Sequence, residues 1–389
     1  MNKTFKTVQV VSISFAHFLH DLYAAFLAPV LPVIIQKLNI SYTSASLLSV
    51  AQNLPTILNP FLGLAADKPG MRIFVVIAPV LTATAMSLIG LSPNYTILLL
   101  LMLVTGISSA LFHLPSPVMI HEFSGTKIGL GMSFYAAAGE LARTAGPFVI
   151  VAAISLWGFE GTWRLIPFSV VLSLYLFFLF NTKNILKGKI QPTINTTGVL
   201  EELNNHKTFF LTMLGFLFFN AAIRASLSTF LPTYLHEQGK SLVFGGSAIA
   251  VYQLAGAGGS LVVGALSDYI GRKRMLFAIG ILSPVFMQLF LFFSDSMLGF
   301  VFLTATGFVI LSSGSILLVL TQELNSKRKA FVNGIYMTIN FVSTALMLPI
   351  IGFISDFSGL KSVYNYSVYA GVIAVFFIIF IPTNKLDKK

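Results

Sequence analysis

The chain has 389 residues, of which 56% are hydrophobic and only 10% charged, and its mean hydropathy is +0.86. A soluble domain carries about 25% charged residues, so this composition excludes an ordinary soluble fold and points to an all-α, polytopic membrane protein. The net charge is +11 with no cysteine, which excludes disulfides, thiol catalysis and thiolate metal sites together.

A bilayer core about 30 Å thick takes roughly 20 apolar residues per helix. Windows of that length recur near 8–36, 42–66, 73–91, 96–119, 129–157, 163–181, 207–236, 243–267, 275–293, 298–322, 330–355 and 363–382, so twelve transmembrane helices are predicted. The first window follows basic Met1–Lys6 but lacks a small-residue cleavage site and carries His17, His20 and Asp21. It reads as a retained helix rather than a signal peptide. The polar stretch around 182–206, with Gly188, Pro192 and Gly198, breaks the apolar pattern and reads as a cytoplasmic linker between bundles spanning 1–181 and 207–389. If the N-terminus is cytoplasmic, 18 Lys and Arg fall on that side and 4 on the other, among them Lys37, Arg164, Lys240 and Lys361. The positive-inside rule then places both termini in the cytoplasm of the cell (inner) membrane. Topology and contact with anionic lipid account for the basic balance, and no nucleic-acid partner is implied.

The chain repeats itself. Gly63-Leu-Ala-Ala-Asp67-Lys68-Pro-Gly70-Met-Arg72 returns as Gly264-Ala-Leu-Ser-Asp268-Tyr-Ile-Gly271-Arg272-Lys273, 201 residues later. The same offset relates Gln52 to Gln253, Gly106 to Gly307 and Glu122 to Glu323. A half-chain repeat in an apolar sequence points to two pseudo-symmetric six-helix bundles around a central pathway, the build of a secondary transporter. Each copy of the motif closes a helix at its negative dipole end, where Asp67 and Asp268 need compensation from a neighbouring helix N-terminus or an arginine. The motif therefore reads as a conformational latch. Gly63 and Gly264 are expected to let backbones approach closely, and Gly70 and Gly271 to permit the tight turn that follows.

On this doubled motif, which spans the whole chain, the sequence resembles the major facilitator superfamily. The resemblance implies that fold, with alternating access between two bundles. It also implies that Asp67 meets the start of helix 11 near Ala330–Asn333. His17-Phe-Leu-His-Asp21, Gln52, Pro60-x-x-Gly63, Gly106-Ile-Ser108-Ser109-Ala-Leu-Phe112-His113, Ser124-Gly125 and Gly146-Pro147 resemble more narrowly the fosmidomycin-resistance branch, whose members export small molecules in exchange for protons. His113 is here followed by Leu114-Pro115-Ser116 where that branch has Pro-Glu. Gly139, Gly146 and Pro147 partly match the glycine-proline pattern of superfamily exporters in the fifth helix.

Ionisable side chains in apolar windows are functional candidates, because charge in lipid is costly. At 1.5 Å per residue, Asp21 lies about 20 Å along the first helix and Glu140 about 17 Å along the fifth, both near mid-membrane. Asp21, with His17 and His20 on its face, is the first candidate for proton coupling, and Glu140 the second. Asp21 has no fixed positive partner within a turn of its own helix, whereas Glu140 has Arg143 at i+3; that pair serves either chemistry or packing. His17, His20 and Asp21 also have the spacing of a metal site, although proton handling suits the cluster better and no metal or other cofactor is expected. Arg143, Arg224, His113, Gln52, Gln253 and Asn220 are the substrate-binding candidates, the two glutamines having helix–helix hydrogen bonding as their alternative.

Two transport readings compete: a proton-coupled exporter of small organic molecules, and a proton-driven importer of an organic anion using Arg143 and Arg224. A metal or metal-chelate transporter stands behind both. A membrane enzyme would need a nucleophile, metal or cofactor constellation that only His17, His20 and Asp21 approach. The absence of a Gly-x-x-x-x-Gly-Lys loop argues against ATP as the energy source. The expected partners are a small-molecule substrate, protons and membrane lipid, with the chain acting as a monomer.

Overall fold

The computed structural model describes residues 4–58, 72–180, 203–324, 326 and 329–382, and every regular element among them is helical. In chain order the spans are α1 (Thr7–Leu38), α2 (from Tyr42–Asn53), α3 (Phe74–Ser87), α4 (Tyr95–Phe123), α5 (Ile128–Trp157) and α6 (Ile166–Phe180). They are followed by α7 (Lys207–Glu237), α8 (Leu242–Ile270), α9 (Arg272–Phe292) and α10 (Met297–Glu323). Gly359, at φ 76°, then divides Lys329–Ile379 into α11 (329–358) and α12 (360–379). Ten helices among the described residues are long and apolar enough to cross a membrane. One of the ten holds both α11 and α12, and α2 is described for its first part only, so the elements correspond to the twelve predicted windows and the fold is the all-α one expected.

Local chemistry sets the helix ends. Asn94 accepts from the Ile97 amide at 3.0 Å to cap α4, and Ser241 accepts from the Phe244 amide at 3.2 Å to cap α8. Several of the apolar spans are broken or kinked along their length. α1 is interrupted after Ala24 and resumes at Leu27, α4 is interrupted at Leu114 ahead of Pro115, and α7 opens into a π-turn over Ser226–Phe230. In hydrocarbon, such breaks survive only where neighbouring groups take up the freed backbone. Gln52 Nε2 donates to the Ala24 carbonyl at 2.8 Å and Tyr364 Oη to the Ser226 carbonyl at 3.0 Å.

The chain divides into two compact units, residues 1–40 with 48–194, and 41–47 with 195–389. The first is cored by Val10, Ile13, Val75, Phe112, Ile120 and Leu176, the second by Phe209, Phe216, Leu276, Ile316, Leu320 and Ile378. The distribution is that of a membrane protein. Phe178, Leu261, Phe292 and Phe357 point outward, while His20, Asp21, Thr82, Ser108 and Asn220 are buried. Residues 181–202 of the stretch read as a linker lie outside the described residues.

Candidate functional site

The polar centre of the first unit is built on Asp21. The helical period puts His17 one turn before it on the same face, with His17 Nε2 3.3 Å from Asp21 Oδ2 and His20 Nδ1 3.1 Å from Oδ1. From α4, His113 brings its Nε2 to 3.1 Å of Oδ1; from α5, Arg143 brings Nη1 to 4.0 Å of Oδ2 and pairs with Glu140. The α5 glycines make this approach possible. A Cβ at Gly139 would stand 2.6 Å from His17 Cε1, and one at Gly146 would stand 2.6 Å from the Leu22 carbonyl oxygen. The His17 ring stacks on Tyr135 at 3.9 Å and the His20 ring on Phe112 at 4.7 Å.

The outer partners of the two α1 imidazoles fix where their protons sit. His17 Nδ1 lies 2.8 Å from the Tyr135 carbonyl, which can only accept, so Nδ1 carries the hydrogen. Around His20 the same reasoning passes through two hydroxyls. Ser108 Oγ donates to the Ala78 carbonyl at 2.8 Å, so it accepts from Thr82 at 2.8 Å. Thr82, its only hydrogen spent, accepts from His20 Nε2 at 3.0 Å. Both neutral rings therefore turn bare nitrogens toward Asp21, whose ionised oxygens are also acceptors. Lone pairs would oppose one another unless the cluster holds a further proton. His113 is not so constrained, because its Nδ1 meets the Tyr135 hydroxyl at 3.2 Å, which itself contacts Ser116 Oγ at 2.7 Å. A metal could use the same donors: ligand atoms of His17, Asp21 and His113 lie within 4.8 Å of one another.

Three expectations change here. Asp21 lacks a positive partner on α1, but the α5 glycines bring Arg143 to it from outside. The Glu140–Arg143 pair forms, yet both side chains are more than two-fifths exposed, so it is not a buried pair. His113, rather than His20, completes the trio with metal-site geometry, because His20 is drawn toward Thr82. Gln52 is occupied in bracing α1. Gln253 is half-buried. Tyr135, Thr82 and Ser116 belong to the cluster and were not singled out from the sequence. One signal was available, since Tyr135 and Tyr336 keep the 201-residue register. The contacts repeat with it: Tyr135 reaches His113, and Tyr336 Oη donates to the carbonyl of Gly314, the counterpart of His113, at 2.9 Å.

In the second unit, Asn220 and Arg224 lie one turn apart on α7. Asn220 is buried, and Arg224 Nη2 donates to Thr344 Oγ1 of α11 at 2.5 Å.

The latch is described in part. Gly63, Asp67, Lys68 and Gly70 lie outside the described residues, so the expected contact of Asp67 near 330–333 is not part of this description. Arg72 meets Glu122 at 2.8 Å, and Arg272 meets Glu323 at 3.3 Å. The two glutamates keep the 201-residue register, but the counterpart of Arg72 in that register is Lys273, so the ion pair recurs with its cation one residue earlier. Arg272 also pairs with Asp268 and donates to Ser267 Oγ at 2.6 Å. Gly271 has φ 101°, which explains a glycine at that turn. Gly264 departs from expectation: a Cβ there would meet nothing within 4 Å, so it mediates no close backbone contact. The close approaches are made instead at Gly106, where a Cβ would stand 2.3 Å from the Gln52 carbonyl oxygen, and at Gly307, 2.5 Å from that of Tyr252.

The sequence profile of the Major Facilitator Superfamily matches residues 13–347 and, in a second alignment, 218–389. The chain belongs to the Major Facilitator Superfamily. It is a multi-pass membrane transporter of small molecules, not an enzyme. Over 383 residues it is 23% identical to the fosmidomycin resistance protein of Escherichia coli (strain K12), covering 96% of this chain and 92% of that one. Over 363 residues it is 22% identical to the MFS-type transporter YfnC of Bacillus subtilis (strain 168), covering 90% and 87%. Among solved structures, a bacterial homolog of the human lysosomal transporter Spinster, inward-facing and unoccupied, superposes with a TM-score of 0.74 at 15% identity over 98% of this chain and 95% of that one. A point mutant of the nucleoside transporter NupG does so with 0.76 at 16% identity over 96% and 99%. At such identities these two superpositions show the fold alone.

Proposed function

We propose that this transporter exports a small organic molecule in exchange for protons, by alternating access between the bundles 1–181 and 207–389. It works as a monomer in the inner membrane with both termini cytoplasmic. The observation that carries the reading is the arrangement around Asp21, where two imidazoles with committed outer hydrogens turn bare nitrogens toward one carboxylate. A proton entering the cluster converts one of the two opposed pairs into a hydrogen bond, and its departure restores the repulsion. Protonation state and the packing of α1 against α4 and α5 are thereby linked. Arg143 lies at the edge of the cluster within reach of both Asp21 and Glu140. Protonation of Asp21 on one side of the membrane weakens substrate binding and deprotonation on the other restores it, so substrate binding in turn favours proton loss. That reciprocity is what coupled exchange requires.

The export direction rests on the name of the Escherichia coli relative. An importer of an organic anion would use the same parts with the opposite stoichiometric direction. The test is transport in proteoliposomes with an imposed pH gradient, against a panel of phosphonates, carboxylates, sugars and cationic dyes. Substrate-driven proton movement in the wild type, abolished in Asp21→Asn while substrate–substrate exchange persists, is the expected result. Uphill transport by Asp21→Asn at the wild-type rate and pH dependence would move the proton site elsewhere, with Glu140 next to test.

A further inference from the structure

The two units place a cation at the junction of their first and fifth helices, and they treat it differently. In the first unit Arg143 of α5 is answered by two carboxylates, Asp21 and Glu140. In the second unit the cation is Arg224 of α7, the first helix of that unit. Its partner on α11 is Thr344, the residue 201 positions after Arg143. The counterpart of Glu140 in the same register is Phe341. No carboxylate among the described residues pairs with Arg224, and of its five N–H donors the contact with Thr344 occupies one.

The surroundings are polar without being anionic. Tyr252 and Tyr336, both buried, lie within electrostatic reach of the guanidinium. Asn340, one turn before Thr344 on α11, has its side-chain oxygen buried without a hydrogen-bond partner. A π-turn begins two residues after Arg224, at Ser226, and such irregularities in helices mark functional positions. A guanidinium in a membrane helix is costly unless a counter-charge or a water-filled cavity compensates it. Its flat fork of donors fits a carboxylate or phosphonate two oxygens at a time.

We infer that Arg224 is the seat for the anionic group of the transported molecule, with Thr344 orienting the guanidinium and Tyr252, Tyr336 and Asn340 completing the polar wall. The inference deepens the proposed function by giving the substrate a negative group, a carboxylate or phosphonate. It commits to a transported anion rather than a lipid headgroup, and it holds whichever way the substrate moves.

The experiment measures binding of phenylphosphonate and benzoate, with uncharged benzamide as control, to the full chain in nanodiscs of zwitterionic lipid with and without added anionic lipid, in the wild type, Arg224→Gln, Arg224→Lys and Thr344→Asp. Charged hydrogen bonds of this kind are worth on the order of tenfold to a hundredfold in affinity. Arg224→Gln is expected to lose that factor for both anions and nothing for benzamide. Arg224→Lys should retain part of it, and Thr344→Asp, which supplies the missing acid, should abolish anion binding while leaving the chain monodisperse and no less heat-stable than the wild type. Equal anion affinity in Arg224→Gln and wild type overturns the inference. So does anion affinity that appears only when anionic lipid is withdrawn, because it would assign the seat to a headgroup. Monodispersity and the Arg224→Lys variant separate loss of the seat from loss of fold. Proton movement driven by any transported panel compound is read on the same variants, so the coupling proposed for Asp21 can fail while anion binding at Arg224 stands, and the reverse.

Discussion

The charge arrangement around Asp21 makes a quantitative distinction between two substitutions that both remove the carboxylate. In Asp21→Asn the new amide donates. Its hydrogens can face the bare nitrogen of His17 or His20, satisfying in a neutral cluster what the wild type satisfies with an extra proton. Arg143 keeps Glu140 as partner. Asp21→Ala leaves the His17 and His20 nitrogens, both in buried side chains, without their carboxylate, and each buried unsatisfied polar group costs about 1–3 kcal/mol. The expected order of stability is therefore wild type close to Asn, with Ala lower by about 1–3 kcal/mol, for the one nitrogen that the extra proton or the amide satisfies. Thermal unfolding of the purified chain, followed by intrinsic fluorescence at several pH values, reads the order directly. The pH dependence should also differ: wild-type stability is expected to vary with pH through occupancy of the cluster, and Asp21→Asn to flatten that variation. If Asn and Ala are equally destabilised, or if the Asn variant keeps the wild-type pH dependence, the assignment of hydrogens around His17 and His20 is wrong.

Further outcomes follow from the packing. Gly106→Ala and Gly259→Ala place a Cβ 2.3 Å and 1.9 Å from the backbone oxygens of Gln52 and Phe308, so each should lower the melting temperature, at a cost of about 1–3 kcal/mol for overpacking. Gly264→Ala and Gly258→Ala meet nothing within 4 Å and should be neutral or stabilising by up to about 1 kcal/mol from helix propensity; a large loss in either would contradict the open surroundings described. Gly271→Ala forces a Cβ onto φ 101° and should cost about 1–2 kcal/mol by the same assay. A double-mutant cycle on Arg272 and Glu323, whose side chains are 16% and 26% exposed, should couple more strongly than one on Lys37 and Glu160, at 34% and 69%, the latter remaining below about 1 kcal/mol.

The architecture was legible because two periodicities carry it, apolar windows of membrane length and the 201-residue register. Both survive large sequence divergence, since lipid demands only that a span be apolar. The site was legible in part. His17, His20 and Asp21 announced themselves by helical spacing within one element, where sequence distance translates directly into space. His113 and Arg143 come from other helices, and nothing in the spacing along α1 reveals that α4 and α5 deliver them to the same carboxylate. The glycines that make the delivery possible, Gly139 and Gly146, were visible, but the group each one faces depends on how the helices rotate in the bundle. Gly264 shows the converse. It sits in the most recognisable motif of the chain, yet it points at open space, so motif membership did not identify the residues at which backbones touch.

The divergence between the repeats carries the most chemical meaning. Duplication supplies the same scaffold twice: Gly106 and Gly307 each face a carbonyl of the neighbouring helix, and Tyr135 and Tyr336 each reach back to positions 113 and 314. Against that shared frame the ionisable groups differ. The first unit keeps acids and imidazoles around its cation, the titratable groups on which the proposed proton exchange rests; the second keeps a cation, hydroxyls and an amide and so holds a fixed charge. Exchange transport needs both kinds of site, one whose charge changes with proton loading and one whose charge stays constant to recognise cargo. If a single cluster served both purposes, every protonation would also alter recognition. Exchanging the two chemistries, with Thr344→Asp in the second unit and Asp21→Asn in the first, tests whether the division matters. Asp21→Asn alone should lose gradient-driven transport while keeping anion binding. Thr344→Asp alone should lose anion binding, and transport with it, while keeping the pH dependence of stability set by the first unit. The double variant should lose anion binding and that pH dependence together.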